Sequence, residues 1–219
     1  MDSSSDTLRI KYPRTFHLPW TGCMTTDDKL LDTLDFFQKE LVASIKMDGE
    51  NTTMYRDHIH ARSIDGNPHW TQSWVRQKHA EIQNDIPKNW RICGENVYAQ
   101  HSIKYDNLES YFYIFSIWDE NNICLSWDET EEWSNLLDIP LVPVIFKGHW
   151  NVQPQKIHES IWSGKYNEDQ NEGYVIRNSG RIPYAEFNRN VGKYVRPNHV
   201  TTDEHWKSGK IEKNTLNYE

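Results

Sequence analysis

Apolar side chains along this chain gather mostly in short runs broken by polar turns. The run 41–45 predicts a strand ending at Lys46. Segments 51–56 and 59–64 flank Asp57-His58, which suits a hairpin. A strand is predicted over 90–99, and segments 111–118 and 123–127 pair across Asp119-Glu120-Asn121-Asn122. Segments 142–147, 173–178 and 193–196 complete the strands. Helical spacing is rarer. Thr26 followed by Asp27 and Asp28 resembles an N-cap with acids in the first turn. Leu30, Leu31, Leu34 and Phe37 then predict a helix of about three turns reaching Lys39 or Glu40. Trp74, Val75, Lys78 and Ile82 mark a second helix, and Asp128 with Glu131 reads as a capping box for a third that reaches Leu137. With no internal repeat, linker or low-complexity tract, the pattern is α+β, strands mostly antiparallel, in one continuous domain.

Composition narrows this picture. A chain of 219 residues suffices for one well-packed domain, and 10 Trp, 11 Tyr and 7 Phe offset a hydrophobic fraction of only 37%. No apolar run is long enough to span a bilayer, and the polar start Met1-Asp2-Ser3-Ser4-Ser5-Asp6 is no secretion signal. The 3 cysteines (Cys23, Cys93, Cys124) fit neither a disulfide framework nor a zinc site, which implies a reducing, cytoplasmic setting. A net charge of −8 argues against non-specific coating of nucleic acid, so any such contact belongs to a local patch.

The chemistry concentrates in Lys46-Met47-Asp48-Gly49-Glu50-Asn51. A lysine closing an apolar run can be desolvated, which frees its amine to act as a nucleophile. Asp48 can orient that amine or hold a metal water, and Gly49 permits a turn where a side chain would clash. A surface hairpin with solvated charges would show the same residues. Three further segments stand out: Cys93-Gly94-Glu95-Asn96 puts a carboxylate inside an apolar strand, Asn171-Glu172-Gly173 puts another at a strand mouth, and Lys193-Tyr194-Val195-Arg196 adds two cations. Alternation places Val42, Ser44 and Lys46 on one strand face, and Glu172, Tyr174 and Ile176 likewise on one face.

In that order the chain resembles the ATP-dependent RNA ligases of the covalent nucleotidyltransferase superfamily, which also holds DNA ligases and mRNA capping enzymes. The matching elements are Lys46 to Asn51, Arg62-Ser63, Gly94-Glu95, Tyr111-Phe112-Tyr113-Ile114-Phe115, Glu172 to Arg177, and the basic strand from Lys193. The resemblance implies a nucleotidyltransferase domain whose mostly antiparallel sheets flank a nucleotide cleft. It implies that the Lys46 amine attacks the α-phosphorus of ATP, that AMP then passes to an RNA 5′-phosphate, and that a 3′-hydroxyl displaces AMP to seal the strand. Nearby cations, a bound metal and partial burial are expected to favour the neutral amine. Asp48, Glu95 and Glu172 would hold the water shell of Mg2+ or Mn2+. Asn51 and Arg62 would hydrogen-bond the ribose or the AMP phosphate, Ile45 would offer its main chain to the adenine edge, and Lys193 would contact phosphate. Phe115 is the candidate to stack on adenine, with Tyr113 as runner-up.

The chain departs from the family pattern in places. The final element is usually Lys-x-Lys, but position 195 is valine, and Arg196 should point the other way as an RNA contact or a surface charge. Ser116 stands where an aspartate is common. The expected organisation is a single domain over 1–219 without the usual C-terminal accessory domain, leaving end selection to this domain, a homodimer or a protein partner. Residues 11–20 either line the pocket or form a strand and loop packing Phe16 and Trp20 on the core. His199, Asp203, His205 and Trp206 match no zinc signature and suit an exposed terminal helix. Alternatives to the RNA ligase are a DNA ligase, a GTP-dependent capping-type enzyme, or a non-catalytic nucleotide or RNA-end sensor.

Overall fold

The computed structural model describes residues 8–199 and 211–218. Its strands are β1 (Phe16–His17), β2 (Glu40–Lys46), β3 (Glu50–Tyr55), β4 (Ile59–Ala61), β5 (Arg91–Asn96), β6 (Phe112–Trp118), β7 (Ile123–Cys124), β8 (Val144–His149), β9 (Gly173–Asn178), β10 (Ile182–Pro183) and β11 (Val191–Val195). Four α-helices accompany them among the described residues: α1 (Ser73–Ile82), α2 (Trp127–Leu137), α3 (Ile157–Trp162) and α4 (Phe187–Asn190). The strands form two sheets, one ordered β1-β11-β9-β2-β8 and the other β10-β7-β6-β5-β3-β4. All pairings between these strands are antiparallel except β1 with β11. The α+β class read from the sequence is therefore the class of the fold.

Burial explains why these runs hold. In β2, Leu41 and Ala43 join a cluster with Phe36, Ile157 and Ile176, while Val42 and Ile45 join another with Val97, Tyr113 and Trp127. A strand buried on both faces reads as a continuous apolar run, and each such large side chain contributes about 1.5–3 kcal/mol. On the far side of the second sheet, Val75 and Ile82 of α1 and Leu137 of α2 cover Met54, Ile92, Ile114 and Ile117. A further cluster of Cys93, Trp118, Ile182, Phe187 and Val191 ties the sheets together. Among the described residues no helix is long and apolar enough to cross a membrane.

Two expected elements differ. The helix predicted from Thr26 to Lys39 or Glu40 is reduced to a single 3-10 turn, Asp35–Gln38. His17 N–H donates to Lys29 O at 2.7 Å and Leu31 N–H to His17 O at 2.8 Å, so β1 claims the backbone groups a helix would need. The acids do not sit in a helical first turn; Asp28 instead accepts from Thr25 N–H at 2.9 Å. The cap of α2 lies two residues earlier than predicted: Ser126 and Glu129 exchange the capping-box bonds, while Asp128 pairs with Lys147 at 2.6 Å. The helix at 73–82 and the strand 173–178 form as read, and the hairpins around 57–58 and 119–122 form with shorter return strands, ending at Ala61 and at Cys124 because Trp127 opens α2; the 119–122 turn is pinned by Asp119, which accepts from Asn121 and Ile123 N–H.

Candidate active site

A cavity of about 1390 Å³ opens where β2, β9 and β11 face the ends of β3 and β5. Ile45, Lys46, Asp48, Asn51, Arg62, Glu95, Phe115, Glu172 and Lys193 all line it. Arg196, the remaining residue singled out from sequence, is not among its lining residues.

Lys46 ends β2 in register with Gly173 of β9, which in turn pairs with Val195 of β11. A Cβ at Gly173 would collide with the Tyr194 carbonyl, so glycine allows the close approach that brings Glu172 over Lys46. Lys46 Nζ lies 2.5 Å from Glu172 Oε1. Burial pushes the Lys46 pKa down, but Glu172, Glu95 and Asp48 together hold it above its ordinary value. Burial likewise raises Glu95, to about 8, with Lys46 opposing and Glu172 and Asp48 reinforcing the rise. The expected balance is thus reversed. Acids, rather than cations, dominate the immediate surroundings of the amine, and they favour its charged form.

Alternation explains one side of the cavity and misplaces the other. Val175 and Arg177 of β9 line it alongside Ser44 and Lys46 of β2. Tyr174 and Ile176 point instead into the cluster beneath the sheet. Glu172 reaches the cavity because it precedes the regular strand, where the two-residue period no longer applies.

Asp48 sits on an adjoining rim, its ligand oxygen within 4.8 Å of that of Glu172, on a turn that needs Gly49, because a Cβ there would press on Asn96 O and the Val97 side chain. Its Oδ2 accepts three hydrogen bonds, from Ser102 N–H at 2.8 Å, Ser102 Oγ at 2.6 Å and Ile103 N–H at 2.9 Å. Its own N–H donates to Tyr105 Oη at 2.9 Å. The chain around Tyr105 is held by the terminal segment: the side chain of Asn214, wholly buried, accepts from Tyr105 N–H at 2.9 Å and donates to Val97 O at 2.8 Å. His199 closes this rim. Its Nε2 lies 3.9 Å from Asp48 Oδ1 and 3.6 Å from Glu172 Oε1. Far from lying on an exposed helix, it is 6% exposed. Asp203, His205 and Trp206 fall outside the described residues. Ligand atoms of Asp48, Glu172 and His199 lie within 4.8 Å of one another, a buried set whose hard oxygens and one imidazole fit a divalent cation. Glu95, though electrostatically coupled to them, is not in that set.

Cations gather on the β11 side. Lys193 faces Val175 in register and sits 3.3 Å from Asp28 Oδ1. Burial lowers its pKa, as do Lys46 and Arg62, while Asp28 opposes them. Asp28 also lies 3.1 Å from His17 Nε2, and burial with Lys193 brings the His17 pKa down to about 4. Pairing of β11 with β9 shows no register shift, so Val195 holds the cavity-facing place beyond Lys193 and Arg196 turns away, its N–H bonded to Glu172 O at 2.9 Å.

The remaining positions are set by local irregularities. The β5–β6 register shifts between Cys93 and Gly94, pairing them with Ser116 and Ile114, so Phe115 is the extra residue of a bulge. It lines the cavity edge-on to Tyr12, ring centroids 5.2 Å apart. Tyr113 does not share that place: it is 6% exposed in the core, its hydroxyl accepting from Glu109 N–H at 2.9 Å. Asn51, across from Glu95 in the β3–β5 pair, has a buried Oδ1 with no hydrogen-bond partner among the described residues. The Ile45 N–H is engaged, donating to Pro143 O at 2.8 Å. Residues 11–20 serve both expected purposes. Lys11, Tyr12 and His17 line the cavity, while Phe16 and Trp20 pack on the core. Asp28, Ser102, Tyr105 and His199 were not read as site residues. Of these only His199 draws notice in the sequence as a metal-type residue, within a group that suits an exposed helix.

Solved structures share this architecture. The Naegleria gruberi RNA ligase with pyrophosphate aligns at a TM-score of 0.58 and 18% identity over 96% of this chain and 64% of its own. The K326A mutant of the same ligase, with ATP and Mn, aligns at 0.52 and 17% over 73% of this chain and 49% of its own. A protein from Aquifex aeolicus, provisionally designated an ATP-dependent DNA ligase, aligns at 0.58 and 20% over 85% of this chain and 50% of its own. The chain spans about half to two thirds of the length of these relatives. No curated protein matches its sequence. The family description "RNA ligase" matches residues 39–195, most of the chain, and the protein belongs to the RNA ligase family.

Proposed function

We propose that this protein is an ATP-dependent RNA ligase that joins RNA 5′-phosphate and 3′-hydroxyl ends through lysyl-AMP and adenylylated RNA. The observation that carries the reading is Lys46 Nζ, 2.5 Å from Glu172 Oε1 on the wall of a cavity large enough for a nucleotide. Nucleophile, acids, cations and an aromatic ring converge there from strands far apart in sequence.

In this reading the described residues act as one nucleotidyltransferase domain, and Lys46 Nζ attacks the α-phosphorus as pyrophosphate leaves. The ammonium must first lose a proton, and Glu172 Oε1 is the nearest acceptor. Lys193 and Arg62 supply positive charge where the triphosphate would lie. Phe115 offers a ring to the base, and the unpartnered Asn51 Oδ1 accepts from a ribose hydroxyl. A divalent ion, Mg2+ or Mn2+, would be held by Asp48 and Glu172 with Glu95 alongside, and would offset charge building on the α-phosphate. Arg196, outside the cavity, is assigned to the RNA. The partner in this reading is RNA ends.

Incubation with ATP and Mg2+ followed by addition of nicked substrates tests the reading. Sealing is expected for 5′-phosphate RNA and not for an all-DNA nick. Sealing of the DNA nick alone would move the assignment to a DNA ligase, labelling from GTP alone to a capping-type enzyme, and no reaction with any nucleotide to a sensor.

A further inference from the structure

We propose that Asp48 Oδ1, Glu172 Oε1 and His199 Nε2 coordinate a divalent first-row transition ion directly, with the imidazole as its nitrogen ligand. The inference rests on the ligase reading only for the reaction the ion serves, not for its binding.

The separations carry the argument. His199 Nε2 stands 3.9 Å from Asp48 Oδ1 and 3.6 Å from Glu172 Oε1, long for hydrogen bonds. Two metal–ligand bonds of about 2.1 Å set their ligand atoms roughly 3–4 Å apart, which is the spacing of His199 from each acid, and all three ligand atoms lie within 4.8 Å of one another. All three residues are at least nine-tenths buried, at 7%, 8% and 6% exposure.

The ligands are also held in place. Three donors saturate Asp48 Oδ2 and leave Oδ1 turned towards the other two groups, as outer-shell bonds orient the ligands of metal sites. His199 is carried over Glu172 by β11, since Arg196 N–H is bonded to Glu172 O just ahead of it. Its other ring nitrogen, Nδ1, is buried with no hydrogen-bond partner among the described residues. The described polar contacts of the ring are therefore those of Nε2 with the two acids. Lys46 also contacts Glu172 Oε1, so ion and ammonium compete for one oxygen. A nitrogen donor shifts preference away from Mg2+, which favours oxygen, and towards ions such as Mn2+.

Mn2+ titration of the full chain without nucleotide, read by pulsed electron paramagnetic resonance, tests the site. One bound Mn2+ with coupling to a histidine nitrogen is expected. Loss of an outer-shell partner alone commonly costs 10–100-fold in affinity, so His199→Gln should weaken Mn2+ binding by more than about tenfold and abolish the coupling. His101, with Nδ1 4.0 Å from Asp48 Oδ1, is the control, and His101→Gln should retain the coupling. Absence of nitrogen coupling in the wild type, or its persistence in His199→Gln, would overturn the proposal, as would no binding at millimolar Mn2+. If the variant does not fold, the wild-type spectrum decides. Nitrogen-coupled Mn2+ in a protein that takes no label from ATP would count against the ligase reading and leave this site standing.

Discussion

The two rims of the cavity are built by different means. On one, Lys46, Val175 and Lys193 sit at fixed register positions of β2, β9 and β11, and backbone ladders set their places. On the other, Asp48 hangs on a turn clamped by Ser102 and Ile103, and that loop is held by Asn214 from the terminal segment. The first rim is fixed by the sheet and the second by buried hydrogen bonds between remote loops. Strand pairing is cooperative and hard to displace, whereas a loop clamp depends on single polar side chains.

The largest expected effect lies on the sheet-fixed rim. Lys46→Ala should lower nucleotide transfer by at least about a thousandfold, measured as label on the protein, because it removes the attacking amine. Its thermal unfolding should be little changed, since β2 keeps its ladder. A large loss of stability would mean that the Lys46–Glu172 pair holds the rim together and that the contrast is false.

Next comes the clamp. Asn214→Ala strands Tyr105 N–H and Val97 O in the interior and should cost about 2–3 kcal/mol by denaturant unfolding. A variant as stable as wild type would show that the terminal segment merely rests on the fold.

The acid cluster sharpens the comparison through pH. The Glu95 carboxyl, raised to about 8 by burial and by Glu172 and Asp48, titrates near 4.3 when unfolded. A raised folded value means that the native state binds the proton more tightly, so stability is fullest below the unfolded value and falls as pH rises from about 4.5 towards 8. Unfolding of Glu95→Gln across that range should show a flatter profile than wild type. Equal slopes would remove Glu95 as the source.

Arg196 should matter least to adenylylation. It lies outside the cavity, so Arg196→Ala should change protein labelling by less than about twofold while reducing RNA sealing. A strong labelling defect would place its side chain at the nucleotide after all.

The same division governs how far the sequence could be read. Lys46, Glu95, Phe115, Glu172 and Lys193 lie on or beside strands whose apolar runs were plain, and all line one cavity. The Phe115 bulge was not foreseeable, because a register shift depends on the partner strand, and it separates Phe115 from the core-bound Tyr113. The helix expected after Thr26 failed for a related reason: its spacing was helical, but β1 took its backbone groups. His199, Ser102 and Asn214 act across long sequence separations from Asp48 and Tyr105, and no local period reports such contacts.

The most direct measurement is tandem mass spectrometry of the wild-type protein after incubation with ATP and Mg2+, mapping any covalent AMP to a residue. The account predicts a phosphoramidate on the peptide containing Lys46, at Lys46 and nowhere else. AMP on another residue, such as Lys193, would contradict it.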